Sequence, residues 1–291
     1  MLNSVTDQSA GARSRGFENP SLQFMPIDAS RIGFSRPAVL RAAVEPIRQN
    51  DVEIAPFAVP HNIAVKTECA QCNTRDLCMP AASGTKGQDQ MKGIFGNNRK
   101  VRRGEAIYRA GDTFHNLYVT RAGSSKTIVM HRDGREQITG FQITGEFLGM
   151  EGIVTGKHTI DAIALEDSVM CAIPFKALET LAEQDREFQR HLHKIMSREI
   201  VRESALLMLM GSMTAEERVA AFLLNLSKRF QDRGYSPTEF HLRMTREEIG
   251  CHLGLKLETV SRMFSRLQQR GLIDMHGKQT RIIDIKGLDS I

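Results

Sequence analysis

Tryptophan is absent from this 291-residue chain, and aromatic residues make up only 6% of it. That scarcity argues against an aromatic-lined carbohydrate or nucleobase pocket. Nowhere do about eighteen apolar residues run together, so no transmembrane helix is expected. The N-terminal region lacks the continuous apolar run of a signal peptide. Cysteine is scarce too: five residues, an odd count, do not form the disulfide framework of a secreted protein. The chain is therefore expected in the cytoplasm, not in a membrane, with its thiols reduced. No Ser/His/Asp order, phosphate loop or paired-carboxylate motif marks an enzyme. The net charge of +5 is mildly basic, which is compatible with nucleic acid without establishing it.

What is present starts with Cys69, Cys72 and Cys78, spaced C-x2-C-x5-C. Thiolates this close together are costly unless a cation shares them or they oxidise. A soft metal is the first hypothesis, with a fourth ligand to be supplied from elsewhere. By itself the triplet reads equally as a zinc knuckle or an iron–sulfur site.

The pattern of the chain divides it into four. Residues 1–60 show no sustained period and carry scattered prolines, as expected of a disordered N-terminal extension with a short helix near 37–49. Residues 61–180 hold the cysteine loop and then, from about residue 93, short alternating runs separated by glycine turns. Asp133-Gly134 is the strongest hairpin signal among them, in the form of a type I′ turn. After Pro174 the period becomes 3.6. Few breakers interrupt residues 175–210, which should include one long helix, with 181–211 as the dimerisation helix and Gly211-Ser212 as a hinge. Residues 212–291 complete the chain.

Along that helix His193, Met196, Ile200, Glu203, Leu207 and Met210 follow a 3-4-3-4-3 spacing, a coiled-coil seam for a second copy of the chain. A second face (Phe188, Leu192, Ile195) suits packing on the chain's own strands. Glu203 is the odd member: a carboxylate on a two-fold seam meets its own copy, unless it rotates outward to water.

The C-terminal segment carries the output. Thr245 and Glu248 form a capping box that opens a short helix. Gly254-Leu255-Lys256 turns the chain, and a second helix runs over about 257–269, which together make a helix-turn-helix. Two short strands about Gly277-Lys278 follow as a wing. Glu258, Ser261 and Arg262 share one face of the second helix, with Arg262 suited to guanine, Glu258 to a cytosine amine and Ser261 to either base. Arg243, Arg246, Arg266, Arg270 and Lys278 suit phosphate contacts. The plainer alternative is that Glu258 and Arg262 form an exposed i, i+4 pair.

Taken together the chain resembles the cAMP receptor protein superfamily, and within it the fumarate and nitrate reduction (FNR) regulators, over roughly 66–291. Ala110-Gly111-Asp112, Leu117-Tyr118-Val119 and Ala122-Gly123 are similar to the superfamily's barrel signature. Asn225-Leu226-Ser227, Gly254-Leu255 and Glu258-Thr259-Val260-Ser261-Arg262 look like the FNR form of the DNA domain. The cysteine triplet, with Pro80 after Cys78, matches as well.

The resemblance implies an α+β fold: a cyclic-nucleotide-binding-like β-roll (a double-stranded jelly roll), a long dimerisation helix and a C-terminal winged helix-turn-helix. It implies that Cys171 is the fourth ligand and that Cys69, Cys72, Cys78 and Cys171 hold one 4Fe–4S cluster per subunit. Oxygen would convert the cluster to a 2Fe–2S form and weaken the dimer. The homodimer would bind a TTGAT-N4-ATCAA palindrome in double-stranded DNA through Glu258, Ser261 and Arg262, and act on RNA polymerase through exposed barrel loops.

Two other readings compete. A cyclic-nucleotide sensor needs an arginine where Lys157-His158-Thr159 stands, so no cyclic nucleotide is expected. A structural zinc or another effector in place of the cluster is the other. His158 and His193 fall in no tight metal pattern and are expected in surface or packing roles. Cys251 is expected to act as a small apolar side chain.

Overall fold

Leu117 and Val119 are almost completely buried, while Asn116 and Tyr118, which alternate with them, are only partly covered. This is the period-two burial that alternating apolar residues impose on a strand. In the computed structural model, which describes residues 65–66 and 97–291, that strand belongs to one of two antiparallel sheets. The expected extension 1–60, its short helix near 37–49 and the cysteine triplet lie outside the described residues.

The first sheet has the order β1-β2-β9-β4-β7, built from β1 (Val65–Lys66), β2 (Asn97–Val101), β9 (Ser168–Pro174), β4 (Asn116–Ala122) and β7 (Phe147–Leu148). The second has the order β3-β8-β5-β6, built from β3 (Ala106–Tyr108), β8 (Asp161–Ala164), β5 (Ser124–Met130) and β6 (Glu136–Ile143). Val101, Leu148 and Met170 of the first sheet share a core with Ile107, Ala162 and Ala164 of the second. The result is the expected β-roll. A single turn of helix, α1 (Gly152–Thr155), joins β7 to β8.

The hairpin at Asp133-Gly134 is present but is not the expected two-residue type I′ turn. Gly134 has φ 85°, whereas every residue with positive φ among the described ones is a glycine, so Asp133 does not take the second left-handed position. The loop spans five residues between β5 and β6, closed by His131 N–H donating to the Arg135 carbonyl. The Asp133 carboxylate accepts from the Arg135 amide and guanidinium, which favours the wider loop. These bonds hold its carboxyl down at about 2.

The long helix expected within 175–210 is present, preceded by a shorter one. α2 (Phe175–Gln184) ends at Asp185, and α3 (Arg186–Ser212) begins there. Asp185 takes extended backbone angles (φ −127°, ψ 105°), and its carboxylate accepts the amides of Glu187 and Phe188. An aspartate at that point satisfies two orphan N–H groups of a new helix, which an uninterrupted helix would not need. The helix that carries the seam residues therefore starts at Arg186. It also runs through Gly211-Ser212, and the turn falls at Met213, whose ψ of 145° leaves the helix.

Beyond it, α4 (Ala215–Gln231) opens with a Thr214/Glu217 capping box. Then follow β10 (Glu239–His241), α5 (Arg246–Leu253), α6 (Leu257–Gln269), β11 (Ile273–His276), β12 (Gln279–Ile282) and the short α7 (Ile285–Asp289). The β10-β12-β11 sheet is the wing. Val219, Leu223, Leu226, Ile249, Leu253, Val260, Phe264 and Leu267 form the core of this part, each at most 1% exposed. Ile128, Ile138, Phe141 and Leu165 of the roll extend the same cluster.

Candidate nucleic-acid interface and the elements around it

The helix-turn-helix forms where the sequence places it. Thr245 and Glu248 cap each other's amides, and Gly254 ends α5 in the left-handed region at φ 65°. Gly250 is required by closeness rather than by φ: a Cβ there would lie 2.5 Å from the Leu255 carbonyl oxygen. Lys256 leads into α6 without a side-chain cap. Val260, Phe264 and Leu267 bury the inner face of α6. That face fixes the opposite one, where Glu258 and Arg262 are exposed and Ser261 is half-buried. Arg262 does not pair with Glu258; its guanidinium reaches the Thr259 hydroxyl at 3.4 Å. Both groups that could read bases are thus presented outward.

The neighbouring cations are more committed. Arg246 lies over the Phe264 ring, 5.5 Å from its centre. Arg266 and Arg270 both reach the Glu216 carboxylate of α4, at 3.2 and 2.7 Å. Arg243 pairs with Glu166 of the roll at 3.0 Å, and Lys278 donates to the Arg243 carbonyl at 2.8 Å.

On α3 the second apolar face behaves as expected: Phe188 and Ile195 are buried against the roll. The seam face is uncovered. Ile200 is 66% and Leu207 72% exposed, and Met196 is also exposed. Glu203 and His193 lie exposed with them, whereas Met210 is half-buried, its methyl directed at the Gly254 turn. Val201 and Met208 are each 65% exposed and widen the stripe beyond the residues the spacing picks out.

Cys171 sits half-buried on β9 within the Leu117–Val119–Ile173 cluster. Its cross-strand neighbours are Val119 on β4 and Asn98 on β2, and Asn98 in turn faces Val65 on β1. Val65, Asn98 and Cys171 therefore stand in one row across three adjacent strands, spanning about 10 Å at the usual strand spacing. Cys69, Cys72 and Cys78 lie outside the described residues. Among the described residues no group of His, Cys, Asp or Glu side chains is suited to hold a metal ion.

Sequence reasoning missed the contacts between roll and winged helix. Glu146, buried at 7% exposure, accepts from Arg229 and Arg233 of α4 or just beyond it and lies 3.5 Å from Arg202 of α3. Burial pushes its carboxyl up, but Arg229 and the other two guanidinium charges outweigh this and hold it below the ordinary range. Lys126 of β5 reaches Glu248 at 2.8 Å. Cys251 accepts from Ile138 N–H and donates to the Glu136 carbonyl, both at 3.3 Å, more than the purely apolar role expected of it. The His252 ring bonds the Ile138 carbonyl at 3.1 Å, and burial pushes its pKa down to about 4.

A cavity of about 480 Å³ lies between roll and α3, lined by Tyr108, Thr127, Gln142, Met196, Arg202 and Arg229 among others. His158 beside it is buried at 3% exposure rather than at the surface. It stacks on Tyr108 with ring centres 3.7 Å apart and meets Glu151 at 2.9 Å, a packing role.

Comparison with known proteins agrees with this architecture. Residues 98–185 match the cyclic nucleotide-binding domain, and residues 217–291 the Crp-like helix-turn-helix domain. The chain is 41% identical over 223 residues to the transcriptional activator protein FnrA of Stutzerimonas stutzeri, covering 77% of this chain and 91% of that one. It is 38% identical over 214 residues to the fumarate and nitrate reduction regulatory protein of Salmonella typhimurium, covering 74% and 86%. Among solved structures, FixK2 of Bradyrhizobium japonicum superposes with a TM-score of 0.61 at 30% identity, over 66% of this chain and 95% of that one. Relatives of this kind are transcription regulators rather than enzymes, and no described helix is long and apolar enough to cross a membrane. The chain belongs to the FNR branch of the Crp family of DNA-binding transcription regulators.

Proposed function

We propose that the chain is an oxygen-responsive activator that works as a homodimer and carries one 4Fe–4S cluster per subunit, held by Cys69, Cys72, Cys78 and Cys171. The observation that carries this reading is the row Val65–Asn98–Cys171. The strand that ends three residues before Cys69 is two strands from Cys171, which supports a site shared by the triplet and the distant thiol. Four soft thiolates fit an iron–sulfur centre. Its lability to oxygen supplies the sensing chemistry.

The protein's own residues supply the rest. The stripe of Met196, Ile200, Leu207 and their neighbours forms the dimer seam, with Glu203 limiting its stability. Glu258, Ser261 and Arg262 read a TTGAT-N4-ATCAA palindrome, and Arg246, Arg266 and Lys278 meet its phosphates. Exposed roll loops contact RNA polymerase. Lys157-His158-Thr159 provides no guanidinium, and His158 is already engaged by Tyr108 and Glu151, which supports a reading without cyclic nucleotide.

Anaerobic purification tests the proposal. Iron and acid-labile sulfide per chain are measured together with the visible spectrum and operator affinity before and after air. A brown protein that bleaches and loses DNA affinity together is expected. A colourless protein with one zinc and oxygen-independent DNA binding would sink it.

A further inference from the structure

Arg218, on the first turns of α4, donates three hydrogen bonds to three carbonyls in two other places in the fold. Nε donates to the Met213 carbonyl at 2.9 Å and Nη2 to the Met210 carbonyl at 2.7 Å, both at the end of α3. Nη1 donates to the Leu253 carbonyl at 3.0 Å, at the end of α5. The last carbonyls of a helix have no intrahelical partner and carry the negative end of its dipole. One planar guanidinium thus caps two helix C-termini at once and fastens the seam helix to the turn of the helix-turn-helix. The approach there is close: a Cβ on Gly254 would lie 3.4 Å from Met210 Cε and 3.5 Å from Arg218 Nη1.

Two residues earlier Glu216, only 12% exposed, holds the other side of the reading motif. Its two oxygens take Arg266 of α6 and Arg270 just past its end, 50 and 54 residues away in sequence. The first turn of α4 therefore bonds to the end of α3, the end of α5 and the far half of α6. These bonds lie within helices already packed together, so stability alone does not require a charged residue at each point.

We infer that Arg218 and Glu216 are positioning residues that transmit the placement of the seam helix to the recognition helix, and so set the distance between the two recognition helices of a dimer. A two-fold reader needs its recognition helices one turn of DNA apart, about 34 Å. Met213 is the only residue between α3 and the Thr214 cap. A joint that short would still swivel about Met213, and the Arg218 and Glu216 bonds remove that freedom. The inference rests on the dimeric, palindrome-binding reading proposed above.

The test compares wild type, Arg218→Met and Glu216→Ala as full-length anaerobic proteins. Labelled duplexes carry one half-site, the full TTGAT-N4-ATCAA palindrome, or that palindrome with its spacer changed by one base pair. Wild type is expected to prefer the full palindrome at one spacing. In both variants half-site affinity stays within about twofold, while the preference for full site over half-site falls about tenfold and the spacer changes are better tolerated. Sedimentation is expected to show an unchanged dimer. An equal loss on half-site and full site, or an unchanged preference, overturns the inference. If Arg218→Met does not fold, Glu216→Ala decides by the same criteria. Absence of any full-site preference in wild type overturns the dimeric reading and the inference with it.

Discussion

The carboxylate of Glu146 and the guanidinium of Arg229 meet in a two-point pair across 83 residues of sequence. Arg229 also donates to the Phe141 carbonyl, so it joins the roll at both the β6 strand and the turn that follows it. Arg233 adds a bond to the Thr144 carbonyl at 2.5 Å. The roll and the helix that leads into the DNA domain are thus held by polar bonds around a buried carboxylate.

Glu146→Gln is expected to destabilise the protein by about 3 kcal/mol, because it leaves buried guanidinium groups without their charge partner. Denaturant unfolding checks this. The folded pKa of Glu146 is lowered, so the pair's contribution is full above the unfolded carboxylate pKa and lost as pH falls through the folded one. Wild type is expected to lose this contribution only in acid, and the variant to show a shallower acid limb.

His252 titrates in a different window. Its folded pKa is pushed from 6.5 to about 4, chiefly by burial. A depressed pKa means that the stabilisation is present above the unfolded value and is lost as pH falls toward the folded one. Between pH 7 and 5 the loss is expected to be about 2 kcal/mol. Replacing the ring by Asn or Gln should remove most of that slope, and unfolding curves at several pH values would show it.

Cys171→Ala is expected to abolish the cluster as fully as Cys72→Ala. Normal iron and sulfide content in an anaerobically purified Cys171→Ala protein would remove Cys171 from the ligand set.

Glu203→Ala should favour the dimer and make DNA binding less sensitive to air, because the seam around Ile200 and Leu207 would then carry no carboxylate against its copy. An unchanged monomer–dimer balance in sedimentation would take Glu203 out of the switch.

Arg262→Ala is expected to cost about 1–3 kcal/mol at its guanine and relax the choice of base there. Affinity measured over operators varied one position at a time distinguishes this from a uniform loss, which would make Arg262 a phosphate contact.

Much of the output end was legible because its determinants are local. A capping box reaches three residues, a left-handed glycine ends a helix where it stands, and an amphipathic period fixes which face of α6 is buried. Asp185 was equally local: its capping signal marks where the long helix within 175–210 begins. The five-residue loop at Asp133 needed more: the pairing of β5 with β6 and the grip of Arg135 on the carboxylate decided it over a two-residue turn.

By itself the sequence determined the family, the winged helix with its outward Glu258 and Arg262, and the uncovered stripe around Ile200 and Leu207. Only the tertiary structure decided where the charges go. Glu146 and Arg229, Arg218 and the ends of two helices, and Glu216 with Arg266 and Arg270 are partners that no period or spacing connects. The reason is physical: helix and strand patterns record which face is buried, whereas an ion pair between elements depends on how those buried faces dock. Strand pairing likewise set Val65, Asn98 and Cys171 in one row, with Val65 on the strand that leads to Cys69.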